Sequence, residues 1–341
     1  MNALKLTQTI TGLLADQKGL LAMDESISTC NKRLAEAGIA QTEENRRSYR
    51  QLLIKTPGLK ENISGIILFD ETIRQRDDED VPLINTIIKS GIIPGIKVDL
   101  GTQELAGFTG ERITEGLDGL RERLNEYASM GARFAKWRAV ITIGKELPSR
   151  NCVEANTNAL ARYAALCQES GLVPIVEPEV MMTGNHTTNV CFETTRYVLE
   201  NLFDQLYLQG IALEGMILKP NMILPGLDRK EKKSAASLAE NTIRCLLESV
   251  PAAVPGIAFL SGGQSEKQAT KMLNALQIMA GDRLPWTLTF SFGRALQHTA
   301  LQIWKGKEEN TIFAQQELQH RATCNHAANM GLYDGTTEKR E

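Results

Sequence analysis

The chain has 341 residues, of which 42% are hydrophobic and 23% charged, and its formal net charge is -3 at pH 7. This length can bury a large core and fits either two average domains or one α/β barrel. The small net charge offers no general attraction to nucleic acid or to an acidic membrane surface, and no apolar run approaches the roughly 18 residues that cross a bilayer. We therefore predict no nucleic-acid partner and no membrane partner.

The cysteines and the start of the chain bear on the compartment. Six cysteines lie apart from one another without CxxC pairs. The start MNALKLTQTITGLL lacks the long apolar stretch and the cleavage site of a signal peptide. Both features predict a reduced, cytoplasmic protein. The cysteines are Cys30, Cys152, Cys167, Cys191, Cys245 and Cys324.

Eight short runs rich in Val, Ile, Leu and Phe follow one another along the chain and predict strands. Helical stretches lie between them, with apolar residues three and four positions apart, as in VEANTNALARYAALCQESG and KKSAASLAENTIRCLLESV. The strand runs are GLLAMD (19–24), ISGIILFDE (63–71), IIPGIKVD (92–99), RFAKWRAV (133–140), LVPIVEPEV (172–180), LEGMILKPN (213–221), GIAFLSGG (256–263) and WTLTFSFGR (286–294).

This alternation predicts the fold. Continuous apolar strands between amphipathic helices indicate a parallel sheet buried on both faces, and eight such units close a barrel. We predict a single-domain α/β fold, a (β/α)8 TIM barrel over residues 1–330 with helical additions at both ends, followed by a polar, flexible tail over 331–341. A doubly wound open sheet is the competing fold, but it usually has fewer strands and begins with a glycine-rich turn that this sequence lacks.

Polar residues are concentrated where the predicted strands end. The active site of such a barrel lies at the C-terminal ends of its strands. Side chains two apart on a strand share a face, which pairs Glu177 with Glu179 and Lys136 with Arg138. One charged residue at a strand end is usually just a solvated one, but their recurrence favours catalysis. The residues are Asp24, Lys97, Asp99, Lys136, Arg138, Glu177, Glu179, Lys219, Ser261, Gly262, Gly263, Ser291, Gly293 and Arg294.

The stretch EGMILKPN places Lys219 at the end of an apolar run, directly before Pro220. An amine attacks a carbonyl only when it is unprotonated, and a lysine with an ordinary pKa of about 10.4 is mostly protonated at neutral pH. Burial among apolar side chains and a neighbouring cation such as Lys136 both lower that pKa. The expected chemistry is a Schiff base, with the carboxylates moving protons. The residues alone leave Lys219 and Lys136 as alternative nucleophiles.

The last two predicted strands indicate anion binding. SGGQSE offers a hydroxyl and free glycine amides directly before a helix, whose N-terminus adds positive potential. SFGR adds the guanidinium of Arg294 after the eighth strand. The loops after strands seven and eight are the usual phosphate site of this barrel. A phosphorylated ligand is therefore expected at this side of the mouth.

Several blocks together resemble one known family. EGMILKPN is similar to the active-site signature of class I fructose-bisphosphate aldolases, and further blocks resemble that family in the same order over about residues 18 to 330. The family's barrel fold agrees with the strand count. The further blocks are LAMDES, TEENRRSYRQLL, GIKVD, FAKWR, IVEPE, FLSGGQSE and SFGRALQ.

The resemblance implies a role for each matching residue. Lys219 would form the imine and Glu177 would be the principal acid and base beside it, while Glu179, Lys136 and Asp24 would assist proton transfer and orient the reacting hydroxyl. The first implied phosphate site comprises Ser261, Gly262, Gly263, Ser291, Gly293 and Arg294. The second comprises Thr29, Arg33 and Lys97, with the charge of Arg138 nearby.

Two features depart from the family pattern. The family usually has a loop close to TGS where this chain has Ile27, Ser28 and Thr29, and the β-branched residues and the lost glycine stiffen that segment. Many relatives also end in a tyrosine on a flexible tail, whereas Tyr333 is the last tyrosine of this chain. Enamine protonation is therefore expected to be slower or to use another group.

The resemblance implies reversible cleavage of fructose 1,6-bisphosphate into dihydroxyacetone phosphate and glyceraldehyde 3-phosphate, in glycolysis and gluconeogenesis, without a metal or another cofactor. Small-molecule sugar phosphates are the expected partners, and a homotetramer is implied. Two alternatives stay open. One is a Schiff-base aldolase that prefers another sugar bisphosphate, such as sedoheptulose 1,7-bisphosphate. The other is a catalytically silent sugar-phosphate-binding protein, against which the lysines and carboxylates at the mouth argue.

Other polar clusters are predicted to be structural. His320, Cys324 and His326 in HRATCNH mimic a metal cluster, but their spacing fits no closed zinc pattern. The acidic run RDDED (76–80) predicts a solvated loop. TEENRR predicts the capped, charge-paired start of a helix.

Overall fold

The barrel strands overlap the eight predicted runs in a computed structural model, which describes residues 3–230, 233–281 and 283–339. A separate antiparallel pair comprises β4 (Thr102–Glu104) and β5 (Arg112–Thr114). The barrel strands are β1 (Gly19–Ala22), β2 (Ile63–Leu68), β3 (Ile93–Lys97), β6 (Phe134–Ile141), β7 (Val173–Val180), β8 (Ile217–Leu218), β9 (Gly256–Phe259) and β10 (Thr287–Phe292). They close in the order β1-β10-β9-β8-β7-β6-β3-β2, with parallel pairing throughout, which confirms the predicted (β/α)8 fold.

Helices surround the barrel and connect its strands. They are α1 (Ala3–Leu13), α2 (Ile27–Glu36), α3 (Glu43–Ile54), α4 (Asp70–Arg74), α5 (Leu83–Lys89), α6 (Leu120–Met130), α7 (Arg150–Glu169), α8 (Thr188–Leu208), α9 (Ala235–Ser249), α10 (Glu266–Ala280), α11 (Arg294–Trp304) and α12 (Thr311–Asn329). Within the described part of the chain, none of these helices combines the length and the apolar character that a membrane span requires.

The first helix closes one end of the barrel. Leu6, Ile10 and Leu13 of α1 belong to the same buried cluster as barrel residues such as Phe134 and Ile175. Ser64, at the start of β2, donates its hydroxyl proton to the Leu13 carbonyl at 2.6 Å. The starts of the strands are therefore covered with apolar side chains, and solvent reaches the barrel at the opposite end.

A second and larger core lies between the strands and the outer helices. Trp137 on β6 packs against Tyr163 on α7, with ring centroids 5.6 Å apart. Such helix-facing residues alternate along each strand with residues that face the barrel axis. This arrangement explains why the strands are apolar on both faces and why the polar side chains are displaced to the strand ends.

Residues 331–339 follow α12 and pack back along α10. The backbone N–H of Tyr333 donates to Asn274 Oδ1 at 3.0 Å, and Arg321 Nη2 donates to Glu338 Oε1 at 2.6 Å. Lys267, in the first turn of α10, lies 3.0 Å from the same Glu338 oxygen. The predicted tail thus contacts the protein up to residue 339, and residues 340–341 lie outside the described part.

Candidate active site

A cavity of about 1160 Å³ opens at the C-terminal ends of the barrel strands. Every residue that the sequence analysis proposed for catalysis or substrate binding lines it, because parallel strands deliver their ends to one edge of the barrel. These residues are Asp24, Thr29, Arg33, Lys97, Lys136, Arg138, Glu177, Glu179, Lys219, Ser261, Gly262, Gly263, Ser291, Gly293 and Arg294.

Two lysines and two carboxylates form a buried cluster at the floor of the cavity. Lys136 Nζ donates to Asp24 Oδ2 at 3.0 Å and lies 2.7 Å from Glu177 Oε2. Lys219 Nζ lies 3.3 Å from the other oxygen of Glu177. All four residues are at most 8% exposed. Glu177 therefore bridges the two ammonium groups, while Asp24 contacts Lys136 alone.

The two lysines have opposite pKa shifts. Burial lowers the pKa of Lys219, and the nearby positive charge of Lys136 lowers it further, against the opposing attraction of Glu177. Burial acts on Lys136 in the same direction, but the attraction of Asp24 and then of Glu177 overcomes it and raises the pKa of Lys136. Lys219 is thus the more readily deprotonated amine, and Lys136 remains a cation.

The carboxylates of the cluster are held in the ionised form. Burial by itself would raise the pKa of Asp24, but the attraction of Lys136, followed by that of Lys219, lowers it well below its usual range. The pKa of Glu177 is lowered for the same reasons, with Lys136 and Lys219 again opposing burial. Glu177 can therefore accept a proton from a group bound at Lys219.

Further charged side chains pair with one another beside this cluster. Arg138 on β6 donates through Nε to Glu179 on β7, and the attraction of that carboxylate outweighs burial and raises the pKa of Arg138. Lys97 Nζ lies 2.7 Å from Asp99 Oδ1, and the other Asp99 oxygen accepts from the Arg138 backbone N–H at 3.2 Å. Arg138 and Glu179 lie on neighbouring strands and Lys97 ends β3, so the barrel itself positions these three charges.

The loops after β9 and β10 form the side of the cavity predicted to bind an anion. Gly262 and Gly263 have φ of 58° and 80°, a left-handed conformation that favours glycine. Ser291 is 2% exposed, and its hydroxyl has no hydrogen-bond partner among the residues that the structure describes. Arg294 Nη2 donates to the Gly263 carbonyl at 3.0 Å, which joins the two loops. A buried hydroxyl without a partner beside cationic and N–H groups fits a ligand oxygen.

The second predicted phosphate site lies at the start of α2. Ile27, Ser28 and Thr29 form the first turn of this helix rather than a loop, because Ser26 caps it by accepting from the Thr29 backbone N–H. Arg33, one turn further along α2, donates through Nη1 to Glu25. Thr29 and Arg33 therefore reach the cavity from one helix, and the helix N-terminus adds positive potential.

Glu25 and Gln297 also line the cavity, although the sequence analysis did not propose them. Glu25 directly follows Asp24 and pairs with both Arg33 and Arg50, the latter at 2.5 Å. Gln297 on α11 donates to the Ala22 carbonyl at 2.6 Å and thereby ties this helix to the end of β1. The position of Glu25 after a predicted strand end was a usable signal, whereas the contact of Gln297 crosses most of the chain.

The other polar clusters have structural contacts. The ring of His326 hydrogen-bonds through Nδ1 to Asn62 Oδ1 at 2.9 Å and through Nε2 to the Asp16 carbonyl at 3.0 Å. Tyr333 donates its hydroxyl proton to Glu338 at 2.6 Å and is not among the residues that line the cavity. Neither residue reaches the lysine and carboxylate cluster.

Comparison with known proteins decides the family. The family model described as "Glycolytic: Fructose-bisphosphate aldolase class-I" matches residues 5–341. The chain belongs to the class I fructose-bisphosphate aldolase family. The predictions of this family, of the barrel fold and of a lyase are thereby confirmed.

Similar aldolases come from bacteria, plants and a protozoan. A probable class 1 fructose-bisphosphate aldolase of Xanthomonas axonopodis pv. citri is 53% identical over 98% of this chain and 100% of its own length. The cytosolic fructose-bisphosphate aldolase 6 of Arabidopsis thaliana is 48% identical over 95% of this chain and 90% of its own. The crystallised fructose-bisphosphate aldolase of Plasmodium falciparum, in complex with TRAP and a small-molecule inhibitor, is 45% identical, with a TM-score of 0.95, covering 98% of this chain and 96% of its own.

Proposed function

We propose that the cluster at the cavity floor cleaves fructose 1,6-bisphosphate reversibly through an imine on Lys219, without a metal ion. One observation carries the choice of nucleophile. The amine of Lys219 is buried, has a lowered pKa and contacts one carboxylate, whereas Lys136 is paired with two carboxylates and has a raised pKa. Only the first arrangement favours a free amine that can attack a carbonyl.

The first half of the reaction forms the imine. The Lys219 nitrogen attacks the ketone carbon C2 of the open-chain sugar and forms a carbinolamine. Glu177, within 3.3 Å of this nitrogen, carries one proton from it to the alkoxide oxygen, and a second proton, taken up from solvent, lets the resulting hydroxyl group leave as water. The product is an iminium ion, which withdraws electrons from the neighbouring carbon-carbon bond.

The second half breaks the bond between C3 and C4. A carboxylate of the cluster removes the proton of the C4 hydroxyl, the C3–C4 bond breaks, and its electron pair moves into the iminium to give an enamine. Glyceraldehyde 3-phosphate leaves as the aldehyde. The enamine takes a proton at C3, and water hydrolyses the resulting imine to release dihydroxyacetone phosphate. We assign the proton transfers to Glu177 and Glu179, with Lys136 and Asp24 orienting the reacting hydroxyl.

The two ends of the cavity would hold the two phosphates. The first set comprises Ser261, Gly262, Gly263, Ser291, Gly293 and Arg294, and the second comprises Thr29, Arg33, Lys97 and Arg138. The unpartnered hydroxyl of Ser291 supports the first site, and the helix N-terminus beside Thr29 supports the second. Two anion sites in the cavity that holds one imine-forming lysine suit a sugar phosphorylated at both ends.

We also propose a cytoplasmic homotetramer. The plant relatives named as cytosolic support this location. The homotetramer is proposed from the family resemblance alone, and size-exclusion chromatography with light scattering tests it. The substrates would then be the small sugar phosphates of glycolysis and gluconeogenesis.

Borohydride trapping tests the nucleophile. The protein is mixed with dihydroxyacetone phosphate, reduced with borohydride and digested, and the adduct is located by peptide mass. We expect the adduct on Lys219, its loss in Lys219→Arg, and its retention in Lys271→Met, which removes an exposed lysine of α10. An adduct on Lys136 instead, or no adduct, overturns the assignment. Turnover that EDTA abolishes would contradict the metal-independent mechanism.

A further inference from the structure

The strand that carries the proposed nucleophile is unusually short. β8 pairs with β7 only at Ile217 and Leu218, and the last backbone bond of this ladder runs from the Lys219 N–H to the Val176 carbonyl at 2.8 Å. Pro220 follows directly and has no N–H to continue the pairing. The two strands therefore separate at the level of the active-site cluster.

Strand β7 continues beyond the point where β8 ends. β7 runs on to Val180 and carries Glu177 and Glu179 along the unpaired stretch. Backbone groups that point toward one neighbour alternate along a strand, so after Val176 the next N–H groups on this side belong to residues 178 and 180. Residue 178 is also a proline. The Val180 N–H is then the remaining backbone donor that faces β8.

The side chain of Asn221 takes the place of the missing strand. Its Oδ1 accepts from the Val180 N–H at 3.1 Å, and its Nδ2 donates to Thr195 Oγ1 on α8 at 3.1 Å and to the Met222 carbonyl at 3.2 Å. Asn221 is 1% exposed, so these bonds are shielded from bulk solvent. Lys219 is thus bracketed by two ties to β7, one through its own backbone and one through Asn221.

We propose that Asn221 is a positioning residue that sets the separation of Lys219 and Glu177. This inference rests on the proposed function, in which Glu177 moves protons to and from the nitrogen of Lys219. The 3.3 Å between Lys219 Nζ and Glu177 Oε1 spans the two strands between the Lys219 backbone bond and the Asn221 side-chain bond to β7. A displacement of about 1 Å at such a contact lowers a rate on the order of 100-fold.

The test compares imine formation with stability. Asn221→Leu keeps the number and branching of the side-chain heavy atoms and removes the hydrogen bonds that the side chain makes. We expect kcat and the rate of borohydride trapping with dihydroxyacetone phosphate to fall on the order of 100-fold, with KM within about twofold of the unchanged protein. Asn325→Leu is the matched control, because Asn325 is also fully buried and hydrogen-bonded but lies on α12. It should lower the unfolding midpoint and leave kcat unchanged.

Changes at Thr195 keep the proposal testable if Asn221→Leu does not fold. Thr195→Val removes the partner of Asn221 Nδ2 and should lower kcat about tenfold. Thr195→Ser keeps the hydroxyl and should have the kcat of the unchanged protein. The inference fails if Asn221→Leu, or Thr195→Val in its place, loses stability with kcat within about threefold of normal. Mapping the adduct in the unchanged protein comes first, so a failure of the Lys219 assignment is recognised separately.

Discussion

At the scale of single residues, the site depends on which charges each lysine contacts. Lys219 and Lys136 are both buried, both face one cavity and both contact Glu177. The additional partner of Lys136 is Asp24, whose attraction, followed by that of Glu177, raises the pKa of Lys136 against burial, whereas the pKa of Lys219 is lowered. Burial lowers the pKa of any lysine, but a pair of anions stabilises the ammonium more than burial destabilises it.

Removing the Lys136 charge should damage both stability and rate. Lys136→Met leaves Asp24 and Glu177 without their shared cation in a buried site, and we expect a loss of about 3 kcal/mol or more in the free energy of unfolding at pH 7. The value of kcat should fall at least about 100-fold because proton transfer is disturbed. Urea titration and steady-state kinetics measure the two effects, with Lys271→Met as the control that should change neither.

The stability loss should depend on pH with a defined sign. The folded-state pKa of Asp24 lies below its ordinary value of 3.8, so its ion pair stabilises the protein above that pH and is lost as the pH falls through the folded-state pKa. The difference between the unchanged protein and Lys136→Met should therefore be largest near neutral pH and shrink in acid. A difference that grows below pH 4 would contradict this account.

At the scale of elements, sequence signals within a few residues predicted local structure correctly. Contacts between residues far apart in the chain were not predicted. TEENRR predicted a helix start, and Thr42 indeed caps α3 by accepting from the Asn45 backbone N–H at 3.1 Å. The hairpin of β4 and β5 was not predicted, because strands of only three residues carry too little periodicity to be recognised. The contacts of residues 331–339 include the pair of Glu338 with Arg321 on α12, which no nearby sequence pattern predicts.

Glu338 should stabilise the protein without contributing to catalysis. Its carboxylate pairs with the buried guanidinium of Arg321 and accepts from Tyr333. Glu338→Gln should lower the free energy of unfolding by about 2 kcal/mol at pH 7, because a buried cation loses its anion. Glu309→Gln, at an exposed pair with Lys307, should change it by less than about 0.5 kcal/mol. Urea titration measures both, and kcat should be unchanged.

The pH dependence identifies the charge as the cause. Burial opposes ionisation of Glu338, but the hydrogen bonds from Arg321 and then Tyr333 lower its pKa from 4.5 to about 2. Its contribution to stability is complete above pH 4.5 and is lost as the pH falls toward 2. The unchanged protein and Glu338→Gln should therefore converge in stability across this interval, and a constant difference would exclude the ion pair as its source.

At the scale of the whole molecule, small residues inside the barrel make room for large ones. A Cβ at Gly95 on β3 would lie 2.2 Å from Phe134 Cε2. Phe134 is fully buried. Close packing of glycine against an aromatic ring fills the interior, which leaves the open end of the barrel as the place for a ligand.

Overpacking this interior should destabilise the fold. Gly95→Ala forces a methyl group onto the Phe134 ring, and we expect a loss of about 1–3 kcal/mol in the free energy of unfolding. Gly95→Ala combined with Phe134→Leu should recover part of it. Gly335→Ala, where no atom lies within 4 Å, should be nearly neutral. An effect of Gly95→Ala that persists unchanged in the double variant would show that the ring is not the cause.

The sequence by itself determined the barrel and the set of residues at its mouth. Eight apolar runs and the helices between them fix a closed parallel sheet, and a parallel sheet brings every strand end to one edge. The ionisable residues at those ends therefore had to line one cavity, wherever they lie in the chain. The turn conformation of Gly262 and Gly263 likewise follows from local chemistry.

The tertiary structure decided which of these residues contact one another. Asp24 and Lys136 are 112 positions apart in the chain, and their 3.0 Å contact provides the largest of the attractions that raise the pKa of Lys136. The early end of β8, and the hydrogen bond from the Val180 N–H to the Asn221 amide oxygen, likewise depend on the distance between strands. An electrostatic shift depends on separations of a few ångströms, and those separations exist only once the barrel has closed.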